Sequence, residues 1–357
     1  MSRPTAGAVR AQAPAQVDGP KNPTELGASS WKYIIRRTIN EFRRDGCLDL
    51  SAGLAFRSAL AAFPVLLVAV AALGLLGSRN KVIEFIVQTI QELGYAETAA
   101  AAKDLFDTLS QAPDGYAFTV GLVLLLWSAS GYLSAFGRAM NRVYGQKEGR
   151  SLWKTRIAFV PLAALIVVMM AIAAFAVTIG DAVADTAVEI LGIEPALVIA
   201  WNILRFPVAL ILMLAVFALL YYFTPNVRHP KVRWVSVGAL VAVVVWILAS
   251  VGFTIYFANF SSFERSYGAI GGALVFLLWL WLTNWSLLAG GEFDAELERM
   301  RQLRSGLDAE KSISVPMRQS RNVTKAASLR IRDVLAAQEI KDHARRNDAP
   351  TERNKST

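Results

Sequence analysis

The sequence contains few of the residues from which catalytic and metal sites are built. Of its 357 residues, one is cysteine and two are histidine, which excludes an internal disulfide framework and any site of several thiolates. His229 and His343 match neither an HExxH zinc site nor a catalytic triad, and Cys47 is expected to be a small structural residue of a helix. Phosphate-loop, nucleophile-elbow and deaminase motifs are also absent. The sequence therefore predicts no catalytic residue, no metal and no cofactor.

Charge is also scarce, and it is segregated from the apolar tracts. Only 18% of the residues are charged and 54% are hydrophobic, whereas a soluble domain has about a quarter charged. Six apolar tracts are long enough to cross a hydrocarbon core about 30 Å thick. They lie at about 51–77, 117–136, 157–180, 196–223, 235–257 and 269–291. We therefore predict an all-α polytopic membrane bundle of six transmembrane helices over residues 51–299.

Lysine and arginine mark one side of this bundle. They are concentrated before the first span, in the second-to-third and fourth-to-fifth loops, and after the sixth span, whereas the alternate loops hold only Arg79, Lys81, Lys103 and Arg265. Cytoplasmic loops collect such residues, so both termini are predicted to be cytoplasmic. The net charge of +9 is then expected to meet the anionic inner leaflet. No aromatic stacking pattern accompanies it, so nucleic acid is not an expected partner.

The segments outside the spans carry predictions of their own. Residues 1–30 are polar and lack the apolar core of a signal peptide, which predicts a disordered segment without a cleaved leader. Residues 31–50 predict an amphipathic interfacial helix, and 79–116 predict two short extracytoplasmic helices, because apolar side chains recur at helical spacing. Residues 300–357 predict a mostly disordered cytoplasmic tail with one short helix near 326–341.

Two arginines, Arg57 and Arg205, are the charged residues within the predicted spans. An arginine at the centre of a membrane helix costs about 2.5 kcal/mol or more, so it usually faces a partner or an aqueous cavity. Arg57 lies about 9 Å inside the cytoplasmic end of the first span. It is predicted to snorkel to the interface, to pair with Glu292 or Asp294, or to contact a lipid phosphate.

Prolines and small residues are candidates for helix packing. Pro64, Pro161 and Pro207 lie in spans and predict kinked helices around a cavity, although ordinary bundle packing explains them nearly as well. Gly131 follows two serine hydroxyls in the second span and is also assigned to packing.

The predicted outer loop at 259–272 holds the densest polar cluster near the membrane. Its candidate functional residues are Glu264, Arg265 and Tyr267. Gly268 and Gly272 form a GxxxG step, which favours close helix packing.

Four motif blocks occur in order along residues 30–300. They are SAGLAFRSALAAFPVLL (51–67), LWSASGYLSAFGRAMNRVYGQKEGRSLWKTR (126–156), YYFTPNVR (221–228), and NFSSFERSYGAIGGALVFLLWLWL with GGEFDAELER (within 259–299). This combination resembles the YihY/BrkB family of bacterial inner-membrane proteins, with departures at Arg57 and at 263–265. The resemblance implies a six-helix fold in the bacterial plasma membrane and a link to envelope integrity. The family was once labelled a tRNA-processing ribonuclease, a label that looks misassigned.

Three functions follow as hypotheses. The first is a transporter-like or lipid-handling protein, in which Arg57 and Arg205 contact an anionic lipid or solute from opposite leaflets. The second is a non-transporting envelope scaffold that recruits partners through 79–116 and the tail. The third is a membrane-bound ribonuclease, which would need acids that the cytoplasmic loops between spans provide only at Glu148. The sequence contains no signal for an oligomeric state.

Overall fold

A computed structural model describes residues 25–75, 83–84, 87–88, 91, 96–109, 114–178, 195–227, 232–258 and 262–347. Ten helices make up this part of the chain. They are α1 (Ala28–Arg44), α2 (Cys47–Leu75), α3 (Ala96–Leu109), α4 (Asp114–Val143), α5 (Leu152–Ala158), α6 (Val160–Thr178), α7 (Pro195–Phe223), α8 (Val232–Ala258), α9 (Ser262–Arg304) and α10 (Arg321–Asn347).

Six of these helices are long and apolar enough to cross a membrane. The stretches are Cys47–Ala72, Gly115–Val143, Val160–Val177, Ala200–Phe223, Val237–Tyr256 and Gly271–Arg304. The prediction of an all-α bundle with six membrane-spanning helices is thereby confirmed. The longest helix, α9, has 43 residues, or about 65 Å at 1.5 Å per residue, and so extends well beyond a bilayer core.

The spans follow one another around the bundle in a closed order. Each of α2, α9, α8, α7, α6 and α4 packs against the next, and α4 returns to α2. The largest core cluster includes Phe136, Met140, Tyr221 and Leu288, all fully buried. It lies toward the end where α4, α7 and α9 finish and α2, α6 and α8 begin, which we call the basic end. There, α1 packs on α9, with Trp31 stacked on Phe293 at 6.1 Å between ring centroids.

The closest helix contact joins α8 and α9 near the basic end. A Cβ placed on Gly290 would lie 2.5 Å from the Cβ of Ala242 and 2.6 Å from the carbonyl oxygen of Gly238. Real Cβ contacts are longer, so only glycine at residue 290 permits this approach. The predicted packing glycines Gly268 and Gly272 instead lie in the first turns of α9, and the side chains of 262–270 lie outside the described residues.

The structure differs from several sequence predictions. Pro64 and Pro207 lie inside α2 and α7 as expected. Pro161 is instead the second residue of α6. Backbone nitrogens in the first turn of a helix have no acceptor within that helix, so a proline there does not kink it. The predicted outer loop at 259–272 is helical from Ser262 onward. Of the two helices predicted in 79–116, the second is α3, and the first falls in a stretch that is only partly described.

The chain beyond α9 also differs from the expected disordered tail. Residues 305–320, which we call the strap, fold back on the basic end, and α10 then runs for 27 residues. Val227 and Met317 form an antiparallel bridge. Asn226 donates to the Gln319 carbonyl at 2.7 Å and accepts from the Gln319 amide at 3.0 Å. The strap is therefore part of the fold.

Candidate functional site

Arg57 lies on a face of α2 that is otherwise apolar. Its side chain is exposed, and so are those of Phe56, Leu60 and Phe63, at 63%, 58% and 52%. Such a surface is typical of helices that face lipid. Within the described residues Arg57 makes no ion pair. This position agrees with snorkelling or lipid contact.

Two further arginines lie close to Arg57. Arg138 near the end of α4 and Arg156 in α5 both experience its positive charge. Burial lowers the pKa of Arg156, and the charge of Arg57 lowers it further. We call these three residues the arginine cluster. They come from three different helices, so the fold rather than one motif assembles the cluster.

Contacts with α4 hold Arg156 in place. Its guanidinium lies 4.1 Å from the ring centroid of Trp127 and donates to the Trp127 carbonyl at 3.2 Å. A second indole, that of Trp153, lies 6.0 Å from the Trp127 ring. Gly131 provides the space, because a Cβ there would lie 2.8 Å from Nη2 of Arg156. Gly131 was predicted to pack against a helix; the structure places an arginine side chain on it instead.

A polar bridge lies inside the bundle beside this cluster. Tyr132 donates to Oδ1 of Asn284 at 2.8 Å, and Asn284 donates to the hydroxyl of Ser58 at 3.4 Å. These contacts join α4, α9 and α2 one residue away from Arg57. Ser130 and Ser134 donate to carbonyls of their own helix, at 2.8 and 2.9 Å, which supports a structural role.

The acid nearest to the cluster is already bound elsewhere. Glu148 accepts hydrogen bonds from Arg150 at 2.8 Å and from Asn141 at 2.7 Å. Burial would raise the pKa of Glu148, but the hydrogen bonds from Arg150 and Asn141 outweigh it and the pKa is lowered. The charge of Glu148 still reaches Arg138, but Arg57 and Arg156 are paired with no carboxylate among the described residues. Guanidinium groups bind phosphate oxygens well.

The predicted pairing of Arg57 with Glu292 or Asp294 is wrong. Glu292 accepts from the thiol of Cys47 at 3.3 Å and is a hydrogen-bond neighbour of Asp45. Burial and the charge of Glu41 raise the pKa of Asp45. Asp294 faces Tyr144. Both acids thus belong to the interior of the basic end rather than to the face of α2.

The sequence analysis named Glu292 and Asp294 but missed that they begin a row of four buried acids at the end of α9. Glu292, Asp294, Glu296 and Glu298 are all at least nine-tenths buried. Arg37 and Arg299 meet Glu296 at 3.2 and 3.0 Å. Burial lowers the pKa of Arg37, but the charge of Glu296 together with Tyr33 and Glu41 outweighs burial, so that this pKa is raised. The available signal was an acid at every second residue in EFDAELER, which places acids on opposite sides of one helix.

The other predicted site residues do not join the cluster. Arg205 in α7 is half-buried, with its guanidinium 5.0 Å from the Phe206 ring centroid. Glu264, Arg265 and Tyr267 lie in the first turns of α9, and their side chains are outside the described residues.

Two cavities can be described, and both lie at the basic end. One of about 690 Å³ separates α10 from Lys147 and Glu148. The other, of about 810 Å³, lies between Lys154 and the start of α10. Neither is lined by Arg57 or Arg205. In the part of the chain that the structure covers, no group of three or more metal-ligating side chains occurs.

Comparison with known proteins identifies a matching family model and several similar bacterial proteins. The family model described as Virulence factor BrkB matches residues 38–313. The ribonuclease-like protein YfkH of Bacillus subtilis is 30% identical over 190 residues, which cover 53% of this chain and 69% of YfkH. UPF0761 membrane proteins of Alkalilimnicola ehrlichii and Azoarcus sp. are 28% and 24% identical, over 78% and 76% of this chain. These matches cover 61% and 65% of those two relatives, less than two thirds of each. No solved structure matches the chain.

Proposed function

This chain belongs to the BrkB family of multi-pass membrane proteins, and we propose that it binds and handles anionic phospholipids, with the arginine cluster as the contact for lipid phosphate. One observation carries the proposal. Arg57 projects from an exposed apolar face and lies beside two more arginines, with no carboxylate paired to it among the described residues.

The position of Arg57 along the membrane helix α2 favours a lipid headgroup as its ligand. It is the eleventh residue of α2, about 15 Å from the start of the helix. An arginine there reaches the headgroup region only by extending its side chain, or draws a headgroup and water toward itself. Arg57 repels both Arg138 and Arg156, and an anionic phosphate relieves that repulsion.

The membrane setting is part of the proposal. Lysine and arginine at the basic end favour a cytoplasmic location for that end, and the relatives favour a bacterial plasma membrane. The phosphate would then belong to an inner-leaflet lipid. Arg205 would serve the opposite leaflet in a transporter-like cycle. The role is proposed to be non-enzymatic, and the ribonuclease-like name applies to YfkH.

Lipid selectivity in nanodiscs tests the proposal. The full chain is placed in phosphatidylcholine discs containing a minor fraction of phosphatidylglycerol, and bound lipid is counted by native mass spectrometry. We expect phosphatidylglycerol to be retained selectively, Arg57→Leu to reduce this retention several-fold, and Arg57→Lys to restore part of it. Arg332→Leu is the matched control, because Arg332 is an exposed arginine on α10. Equal retention of both lipids by the wild type, or no effect of Arg57→Leu, would contradict the proposal.

A scaffold role is the second candidate, and α10 favours it. This helix is exposed from Thr324 to Ala344, with Ile331, Leu335 and Ile340 at 61%, 54% and 72% exposure. An exposed apolar surface of this kind is a common docking site for partners. A scaffold that uses α10 would lose its function when the helix is removed, whereas lipid binding at the arginine cluster would persist.

A further inference from the structure

Asp294 differs from Glu296 and Glu298, the next two acids on α9, in having no cation nearby among the described residues. Its side chain is 4% exposed and points into the bundle between α4, α7 and α8. Two residues further along, Glu296 is equally buried but meets both Arg37 and Arg299. Glu298 is bound by Arg301 and Gln302. Asp294 is therefore a buried acid in a different chemical setting from its neighbours.

Hydroxyl groups and another acid face Asp294. Tyr144, which follows α4, donates to Oδ2 at 3.4 Å. Burial raises the pKa of Tyr144, so its hydroxyl keeps the proton that it donates. Tyr221 of α7 and Glu298 of α9 are its other titratable neighbours among the described residues. Oδ1 has no hydrogen-bond partner in the described structure.

The packing around this carboxyl leaves little room for water or a metal ion. A Cβ on Gly238 would lie 2.7 Å from the Cβ of Asp294 and 2.9 Å from its Cγ. The carbonyl oxygen of Gly290 would lie 2.8 Å from the same Cβ on Gly238. Asp294 is thus enclosed at the tightest approach of α8 and α9, where the Gly238 backbone also interacts with its carboxyl group.

A carboxylate in this setting has to be neutralised. Burying an ionised carboxylate without a cation beside it is far more costly than burying the neutral acid. We propose that Asp294 is a proton-binding site, which is occupied when α8 and α9 are packed as in this structure. The proton converts the carboxylate to a carboxylic acid and comes from the aqueous phase at the basic end. This inference is independent of the lipid function proposed above.

Proton occupancy is then coupled to helix packing. Loss of the proton leaves a negative charge beside Glu298 and two tyrosines, with no cation among the described neighbours. The contact between α8 and α9 has to loosen so that water or a cation reaches the carboxylate. Asp294 thereby gives the basic end two states, one protonated and closed, the other ionised and open.

Infrared spectroscopy of the carboxyl group tests this site directly. The full chain is reconstituted in lipid at neutral pH, and the absorption band of protonated carboxylic acids is recorded. We expect a band in the wild type that loses one component in Asp294→Asn and keeps that component in the matched control Glu296→Gln. Asn has the size of the neutral acid, so that the fold should persist. Glu292→Gln separates any contribution from the acid beside Cys47.

Isotope labelling keeps the test valid if Asp294→Asn does not fold. Wild-type protein grown with carboxyl-labelled aspartate should show the band shifted, because the label changes only aspartate vibrations. With Glu292→Gln as the background, absence of a protonated band at neutral pH, or a band that survives the addition of Asp294→Asn or ignores the aspartate label, would overturn the proposal. Loss of lipid selectivity with the band intact would count only against the lipid function.

Discussion

The guanidinium of Arg156 occupies the space that a side chain at Gly131 would need, since a Cβ there would lie 2.8 Å from Nη2 and 3.3 Å from Cζ. The absence of a side chain on α4 thus determines where a charge from α5 can lie. The same guanidinium stacks on Trp127, one turn away on α4. The backbone of α4 and the arginine cluster are therefore directly linked.

Gly131→Ala should displace Arg156 and weaken the cluster. The contact involves the end of a flexible side chain, so we expect a modest loss of about 1 kcal/mol in the free energy of unfolding. Retention of phosphatidylglycerol should fall several-fold, because one of the three guanidinium groups moves away. Native mass spectrometry and thermal unfolding in detergent measure the two effects.

Gly252→Ala is the matched control for this substitution. Gly252 lies in α8, and a Cβ there has nothing within 4 Å. The Gly252→Ala substitution should leave both lipid retention and the free energy of unfolding essentially unchanged. If Gly131→Ala behaved like this control, Arg156 would not depend on the space at Gly131, and its place in the cluster would need revision.

The six spans could be predicted because the length of an apolar tract is enough to identify a membrane helix. A tract such as 235–257 needs no partner to be identified as a membrane helix. Helix ends were harder to predict, because polar residues continue the helix beyond the bilayer core. Thus α4 runs on to Val143 and α9 to Arg304, so that Arg138 was taken for a loop charge and the sixth helix was predicted to end near residue 291.

The site itself depends on contacts between helices, which the sequence does not reveal. Arg57 was identified as a charge within a span, but its neighbours come from α4 and α5. The same limit applies to glycines. The GxxxG pattern drew attention to Gly268 and Gly272, whereas the tight contact of α8 and α9 uses Gly238 and Gly290, which lie on different helices.

Glu148 should make stability depend on pH in the acid range. Its hydrogen bonds with Arg150 and Asn141 favour the ionised form, and its pKa is lowered from the ordinary value of 4.5. A group with a lowered pKa contributes its full stabilisation when the pH is above its pKa in the unfolded chain. This contribution is lost as the pH falls through its pKa in the folded protein. Glu148→Gln should cost about 1 kcal/mol at neutral pH.

Thermal unfolding of both proteins from neutral pH to below 4 measures this contribution. The difference between wild type and Glu148→Gln should shrink as pH falls below about 4.5, close to the intrinsic value of a glutamate. Glu339→Gln, an exposed substitution on α10, should show no such trend. A difference that stayed constant over the whole range would mean that the charge of Glu148 does not contribute.

Two truncations should separate the strap from α10. Ending the chain after Ser320 removes an exposed helix and should change the free energy of unfolding by less than about 0.5 kcal/mol. Ending it after Arg304 also removes the strap. Buried Ile313 and Val315 are then lost, together with the bonds between Asn226 and Gln319. We expect a loss of about 3 kcal/mol or more, because apolar burial and buried hydrogen bonds disappear together.

The truncation after Arg304 cannot distinguish a scaffold from a lipid-handling protein, because it damages the fold in either case. The truncation after Ser320 can do so, since the arginine cluster and the strap both remain. Full phosphatidylglycerol retention together with loss of envelope function in cells would favour a scaffold that works through α10. If the chain ending at Ser320 kept both phosphatidylglycerol retention and envelope function, the lipid function would be favoured. If the chain ending at Ser320 were as unstable as the chain ending at Arg304, α10 would belong to the folded domain and neither conclusion could be drawn from its removal.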